Sequence, residues 1–254
     1  MVAVLGLGEA GTRLAADLAA AGVDVHAYDP AEAATVPAGV VRAADAVSAV
    51  AGRGLVLSVA TASAALAAAQ AALPGLRPGA LYADLNTAGP ARKREIAAVV
   101  AGAGCLFADV ALLGPVPRRG LSTPALVSGD GAVALAEALG PLGMPVEVVS
   151  PHPGDAARLK LLRSVFMKGL AAAVFESMAA AQAAGSAAWL ERQIGEVIGP
   201  DLLERLVEGS RRHATRRADE MDACCELLAS LGIEPRIAAA TRAILADLGR
   251  PPGP

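Results

Sequence analysis

The residues Gly6-Leu7-Gly8-Glu9-Ala10-Gly11 form a G-x-G-x-x-G run. In a chain with 27 glycines such a run says little until its neighbours are read. Val2-Ala3-Val4-Leu5 reads as a buried parallel strand, residues 12–21 as the helix that follows, and residues 23–29 as a second strand ending in an acid. These are the parts of a dinucleotide-binding βαβ unit. Gly6 allows the tight turn, Gly8 lets the backbone approach a pyrophosphate, and Gly11 lets helix and strand pack closely. Leu7, Glu9 and Ala10 complete the loop, and the first helical turn offers N–H groups and partial positive charge to phosphates. Asp29 can accept both ribose hydroxyls. Its charge would repel a 2′-phosphate, and no Arg or Lys follows it before Arg42. NAD is therefore favoured over NADP, which stays as the alternative. Glu9 is expected to point outward, towards Arg13. Val59 and Ala60, where a later strand over 55–59 ends, are expected to line the same cofactor. The competing reading is a glycine-rich turn that holds no ligand.

Hydride chemistry also needs a group that moves a proton. The only lysines are Lys93, Lys160 and Lys168. Lys160, Ser164 and Lys168 are spaced i, i+4, i+8 and share a helix face. Apolar neighbours such as Leu159, Leu161 and Val165 would desolvate a lysine there and lower its pKa, as a general acid/base needs. A solvated, snorkelling lysine fits the spacing equally well. The short-chain solution, Tyr-x-x-x-Lys, is poorly supported, since Tyr28 and Tyr82 have no lysine four residues on. His26, His152 and His213 are scattered without metal-ligand spacing, so no metal site is expected. Arg211, Arg212, Arg216 and Arg217 surround His213 and could clamp an anion, or form a solvated face with Asp219 and Glu220. Arg118-Arg119 is a second candidate anion site.

The elements that would carry these residues are legible in outline. The first 150 residues alternate short apolar strands with Ala-rich helices, which argues for a doubly wound, mostly parallel Rossmann-type sheet. Expected strands include 39–41, 80–83, 105–109, 125–127 and 146–149; expected helices include 90–101 and 131–139. After Pro151-His152-Pro153-Gly154 no strand pattern returns, and 155–184 reads as one long helix with Asp155 near its N-cap. The fold class is thus α/β followed by a smaller all-α domain, with domains at 1–150 and 151–254. The tail 250–254 reads as a frayed end. Net charge is −3, so the whole chain has no nucleic-acid footprint. The uncharged run 54–76 contains Ser58, Gln70 and Pro74 and reads better as strand plus helix than as a membrane span. No signal peptide is evident, and three cysteines make no disulfide framework. A cytoplasmic protein without membrane or nucleic-acid partners is expected. Cys224-Cys225 read as packing residues rather than a redox pair.

Gly154-Asp-Ala-Ala-Arg-Leu-Lys160 resembles the G-x-G-x-x-x-K motif of the β-hydroxyacid dehydrogenases, which include 3-hydroxyisobutyrate and 6-phosphogluconate dehydrogenases. Asp84-Leu-Asn-Thr-Ala-Gly-Pro90 is similar to that family's D-x-S-T-x-x-P substrate segment. Asp109-Val-Ala-Leu-Leu-Gly114 stands where the family has D-A-P-V-S-G. A branch with its own helical C-terminal domain matches further, through Lys160 to Ser164, Lys168-Gly169, His213, Arg216-Arg217 and Glu220-Met221. The resemblance implies hydride transfer between a nicotinamide and a carbinol carbon, with Lys160 as general acid/base. It also implies substrate contacts from Asn86, Thr87, Leu113, Gly114, Ser164, Lys168, His213 and Arg217. By the same analogy the helical domain pairs into a homodimer, and the small residues over 179–188 permit close helix contact.

The departures from the family pattern point at the substrate. Asn86 replaces the Ser that contacts a substrate carboxylate, Leu113 replaces the Ser of D-A-P-V-S-G, Pro115 stands where a glycine follows it, and Ser164 replaces the usual Asn. Asn86 and Ser164 can still hydrogen-bond; Leu113 cannot. A substrate more apolar than the standard hydroxyacids is expected, and an imine reductase is the second enzyme reading. A non-catalytic NAD-binding regulator is the third, disfavoured by Lys160.

Overall fold

The computed structural model describes residues 1–250; residues 251–254, which hold most of the expected frayed tail, lie outside it. Two compact units divide the described chain, Met1–Lys160 and a second from Leu161 onward.

The first unit is built on an eight-stranded sheet. Its strands are β1 (Val2–Leu5), β2 (Val25–Tyr28), β3 (Val40–Arg42), β4 (Leu55–Ser58), β5 (Leu81–Asp84), β6 (Leu106–Leu112), β7 (Ala125–Ser128) and β8 (Val146–Ser150). Their spatial order is β3-β2-β1-β4-β5-β6-β7-β8. All pairings are parallel except β6 with β7. The order reverses between β1 and β4, the switch point at which open α/β sheets bind ligands. The strands read as unbroken apolar runs because both faces are covered. Val2, Val4, Leu55, Leu57, Leu81 and Ala83 belong to the core on one face. The alternate residues Ala3, Leu5, Val56, Tyr82 and Phe107 belong to the core on the other. The run 54–76, weighed as a membrane span, folds as β4, α3 (Ala65–Ala72) and a short 3-10 turn.

Three local differences from the sequence reading have physical causes. Helix α1 (Glu9–Ala20) starts inside the glycine run rather than at residue 12, because Gly8 is its N-cap and the Thr12 N–H bonds the Gly8 carbonyl at 2.9 Å. Strand β6 continues three residues past Asp109, because Val110, Ala111 and Leu112 find antiparallel partners on β7. Arg13 pairs with Asp17 at 2.9 Å, one turn on, and not with Glu9, which is exposed as expected.

The second unit is helical among the described residues. Helix α7 (Asp155–Ala183) starts in the first unit, and α8 (Ala187–Ile198), α9 (Pro200–Arg212), α10 (Ala214–Ser230) and α11 (Arg236–Leu248) follow it. By length and composition α7 could cross a membrane. Part of its apolar surface serves a protein core: Leu161 packs with Met221, Cys224 and Leu245, and Ala171 and Val174 with Leu206, while Leu159, Leu162 and Phe166 are exposed.

Candidate functional site

The dinucleotide turn has the shape its residue types demand. Gly6 has φ +103°, and a Cβ there would lie 2.5 Å from the Val59 carbonyl oxygen. A Cβ on Gly11 would lie 1.9 Å from the Gly6 carbonyl oxygen, so α1 reaches the strand only because Gly11 has no side chain. Gly8 is the opposite case: a Cβ there would meet nothing within 4 Å, which leaves open room above the α1 N-terminus. Leu7 is buried and Ala10 half-buried, so the outer side of the turn is Gly8 and Glu9. The Asp29 carboxylate accepts from the Leu7 N–H at 2.6 Å and from the Ala31 N–H at 2.8 Å. Each oxygen keeps a lone pair for a ribose hydroxyl. Arg42, the first basic residue after Asp29, donates to the Ala34 and Ala31 carbonyls at 2.7 and 3.0 Å. Val59 and Ala60 close the turn from the end of β4: the Val59 N–H bonds the Leu5 carbonyl at 2.7 Å. The room at Gly8, the first-turn N–H groups and Asp29 fit a dinucleotide.

Beside this turn, on the same sheet, stands a row of buried polar residues that the sequence reading missed. Ser58, Asp84, Asp109 and Ser128 are opposite one another on β4, β5, β6 and β7, and each is fully buried. Helix α4 (Pro90–Ala101) supplies Lys93, only 1% exposed. Its ammonium donates to the Asp84 carbonyl at 2.8 Å and lies 3.1 Å from one carboxylate oxygen each of Asp84 and Asp109. Burial alone would pull the Lys93 pKa down. The two carboxylates outweigh it and raise the pKa above the ordinary lysine value. Tyr82, also buried, is pushed up chiefly by desolvation.

The same carboxylates hold the segments expected to meet substrate. Asp84 Oδ1 accepts from the Asn86 N–H at 3.2 Å and from the Asn86 amide, which also donates to Ser58 Oγ at 3.1 Å. Both amide hydrogens of Asn86 are thus committed inside the protein, and its Oδ1 is buried without a hydrogen-bond partner. Asp109 Oδ2 accepts from the Ala157 N–H at 3.0 Å and from the Ser128 hydroxyl at 3.2 Å, while Ser128 Oγ accepts from the Ala156 N–H at 3.0 Å. The first turn of α7 is therefore capped by the sheet. Gly154, with φ +96°, passes so close to α4 that a Cβ would lie 2.8 Å from the Pro90 carbonyl oxygen. One turn beyond Ala157, Lys160 Nζ donates to Thr87 Oγ1 at 2.9 Å. Asn86, Thr87 and Lys160 are brought together. Leu113 and Gly114, both half-buried, follow β6; a Cβ on Gly114 would lie 3.5 Å from the Arg119 side chain.

The remaining expected substrate residues belong to the second unit. Lys168 Nζ lies 2.9 Å from Glu220 Oε1 and 3.1 Å from Ser164 Oγ, and the Ser164 hydroxyl donates to Glu220 at 2.5 Å. Arg217 donates to Ser210 Oγ at 2.7 Å, and its pKa is lowered by burial against the opposing pull of Glu220. His213 ends α9 and starts α10, and its carbonyl accepts the Arg217 N–H at 3.0 Å. Arg211, Arg212 and Arg216 are exposed, as a solvated face requires.

Residues 1–136 match the NAD-binding domain of 6-phosphogluconate dehydrogenase, more than half of the chain. The chain belongs to the β-hydroxyacid dehydrogenase superfamily. Its cofactor is NAD(P). Residues 181–248 match DUF1932, a domain of unknown function. A solved conserved protein of unknown function, described as structurally similar to 3-hydroxyacid dehydrogenases, is 28% identical; the likeness covers 97% of this chain and 96% of that one, with a TM-score of 0.75. Mycobacterium tuberculosis 3-hydroxyisobutyrate dehydrogenase, solved with L-serine, shares the fold at 20% identity, 97% and 92% coverage and a TM-score of 0.80. An uncharacterized 28.5 kDa protein of Methanothermus fervidus is 32% identical over 150 residues. That alignment takes in 58% of this chain and only 56% of the relative's length.

Proposed function

We propose that this superfamily member is an NAD(P)-dependent oxidoreductase acting on the carbinol carbon of a hydroxyacid-like substrate, with Lys160 as general acid/base. The observation that carries the reading is the Lys160 Nζ–Thr87 Oγ1 hydrogen bond of 2.9 Å, in the same compact unit as the dinucleotide turn. Nicotinamide, when bound, accepts or supplies the hydride. In oxidation the substrate O–H proton passes to the neutral Lys160 amine as the C–H bond breaks and the C=O bond forms; in reduction the Lys160 ammonium returns it. Thr87 accepts a hydrogen bond from Lys160 and so aims its nitrogen. Asp29, with Arg42 engaged by loop carbonyls, favours NAD over NADP.

Replacement of Lys160 by Ala is expected to lower turnover on the order of 10²–10⁴-fold while NADH binding, read by nucleotide fluorescence, is retained. Unchanged turnover removes Lys160 from the mechanism. A second reading, reduction of a C=N bond, is favoured by Asn86, whose amide donors are already engaged and are not available to a carboxylate. A panel of hydroxyacids, ketoacids and cyclic imines assayed with both nucleotides separates the two chemistries.

A further inference from the structure

Lys93 takes no part in the chemistry above, yet it is among the most deeply buried side chains of the protein. We propose that Lys93 is the positioning residue of the site: its ammonium joins the strand end bearing Asn86 and Thr87 to the helix start bearing Lys160, and so holds Lys160 on Thr87. The inference rests on the reading of Lys160 as the proton-transfer group.

The network around Lys93 is a closed ring. Each carboxylate uses one oxygen on Lys93 and the other on a segment of the site: Asp84 on Asn86, Asp109 on the first turn of α7. The Lys160–Thr87 bond completes the circuit. Two carboxylates and one ammonium sum to a net −1. The partial positive charge of the α7 N-terminus, through the N–H groups of Ala156 and Ala157, faces that excess. Removal of the ammonium would leave two buried carboxylates opposing each other across neighbouring strands, and the strand end and helix start would separate to admit water.

The helix face shows that the lysine is placed, not incidental. Lys93, Ile96, Ala97 and Val100 are the buried residues of α4, spaced i, i+3, i+4 and i+7 on one face. A lysine occupies the position that an apolar residue would take in an ordinary packing helix. It lies over the sheet where the strands carry Asp84 and Asp109 in register.

The test reads Lys160 directly and needs no substrate. Pulse labelling of the intact protein with an amine-reactive reagent at a series of pH values, followed by peptide mass analysis, gives the protonation midpoint of Lys160. NADH titration counts folded cofactor sites in the same samples. In Lys93→Met the Lys160 midpoint is expected to move by about one pH unit, to coincide with that of Thr87→Val, at undiminished NADH affinity. A folded Lys93→Met with the wild-type Lys160 midpoint overturns the proposal. Should Lys93→Met not fold, amide exchange on the wild-type protein decides. The N–H groups of Asn86, Ala156 and Ala157 are expected to exchange together, slowed on the order of 10²-fold or more. Exchange of Ala156 and Ala157 at the rate of a frayed helix end overturns it. A Lys160→Ala enzyme with full turnover would sink the mechanistic reading while leaving the labelling result standing, so the two failures are distinguishable.

Discussion

Each unit of this protein contains a lysine set among carboxylates and hydroxyls, and the two clusters differ in one physical respect. In the sheet unit Lys93, Asp84 and Asp109 have side chains at most 1% exposed; in the helical unit Lys168 and Glu220 are each 13% exposed. Charges removed entirely from water are costly unless every partner is in place. The Lys93 cluster answers part of that cost with two strands, one helix and the start of another, its ammonium lying 3.1 Å from the otherwise unpartnered Asp84 Oδ2 and Asp109 Oδ1. The Lys168 cluster includes one ammonium, one carboxylate and the Ser164 hydroxyl, with the Arg217 guanidinium drawn to the same carboxylate, and residual contact with water screens it. A closed cluster acts as scaffold; a cluster that keeps a wet edge can exchange a protein partner for a ligand. The contrast fits the proposed role of Lys93 in holding the site, and it leaves Lys168 as the ammonium that keeps contact with water.

The sharpest way to break this comparison is to remove each ammonium in turn. Lys93→Met is expected to cost about 3–5 kcal/mol of folding stability, and Lys168→Met on the order of 1–2 kcal/mol, measured by urea unfolding. Equal losses would mean that burial does not separate the clusters. The alkaline limb of the stability curve is the next largest effect. The folded pKa of Lys93 is raised, so its ammonium stabilises the fold fully below the ordinary lysine value. That contribution is lost as pH rises through the higher folded value. Cys224 is pushed up to about 12 by desolvation first and Glu220 second. The unfolded thiol therefore loses its proton before the folded one, and stability again falls as pH rises. Wild-type stability should decline above about pH 9 and more steeply above about pH 10.5; Lys93→Met should flatten only the second part. A wild-type curve that is level from pH 9 to 11.5 contradicts both assignments. The smallest effect lies in the two adjacent cysteines of α10. Cys224 is buried and bonded to the Leu161 carbonyl at 3.4 Å, whereas Cys225 is half-buried. Iodoacetamide at about pH 8 should modify Cys225 roughly tenfold or more faster, checked by peptide mass; equal rates would show that the α10 core opens readily.

Much of the site could be read along the chain. Gly6, Gly11 and Asp29 have requirements that are local: a positive φ, a close approach and a strand-end acid some twenty residues on. The motif ending at Lys160 was likewise visible, with Gly154 at its start. Lys93 and the row Ser58, Asp84, Asp109, Ser128 were not read as a unit, although a signal existed. The apolar strands over 55–58, 81–84, 106–109 and 125–128 each reach a Ser or Asp, and Lys93 occupies the buried phase of α4. Periodicity marks such positions as buried; it does not say which buried polar groups face one another. The antiparallel β6–β7 pairing, which brings Ser128 opposite Asp109, left no mark in either strand.

The amino-acid sequence by itself determined the dinucleotide turn, the alternation of strands and helices, and the shift to an all-helical second part. Each follows from propensities and spacings within about thirty residues. Only the tertiary structure decided that Asp84 and Asp109 share one ammonium, that Asn86 has its donors turned inward, and that Lys160 reaches Thr87. Those facts depend on strand order and register, which bring together residues on different strands and helices, up to 73 positions apart for Lys160 and Thr87, and are set by the packing of the whole sheet rather than by any segment of it.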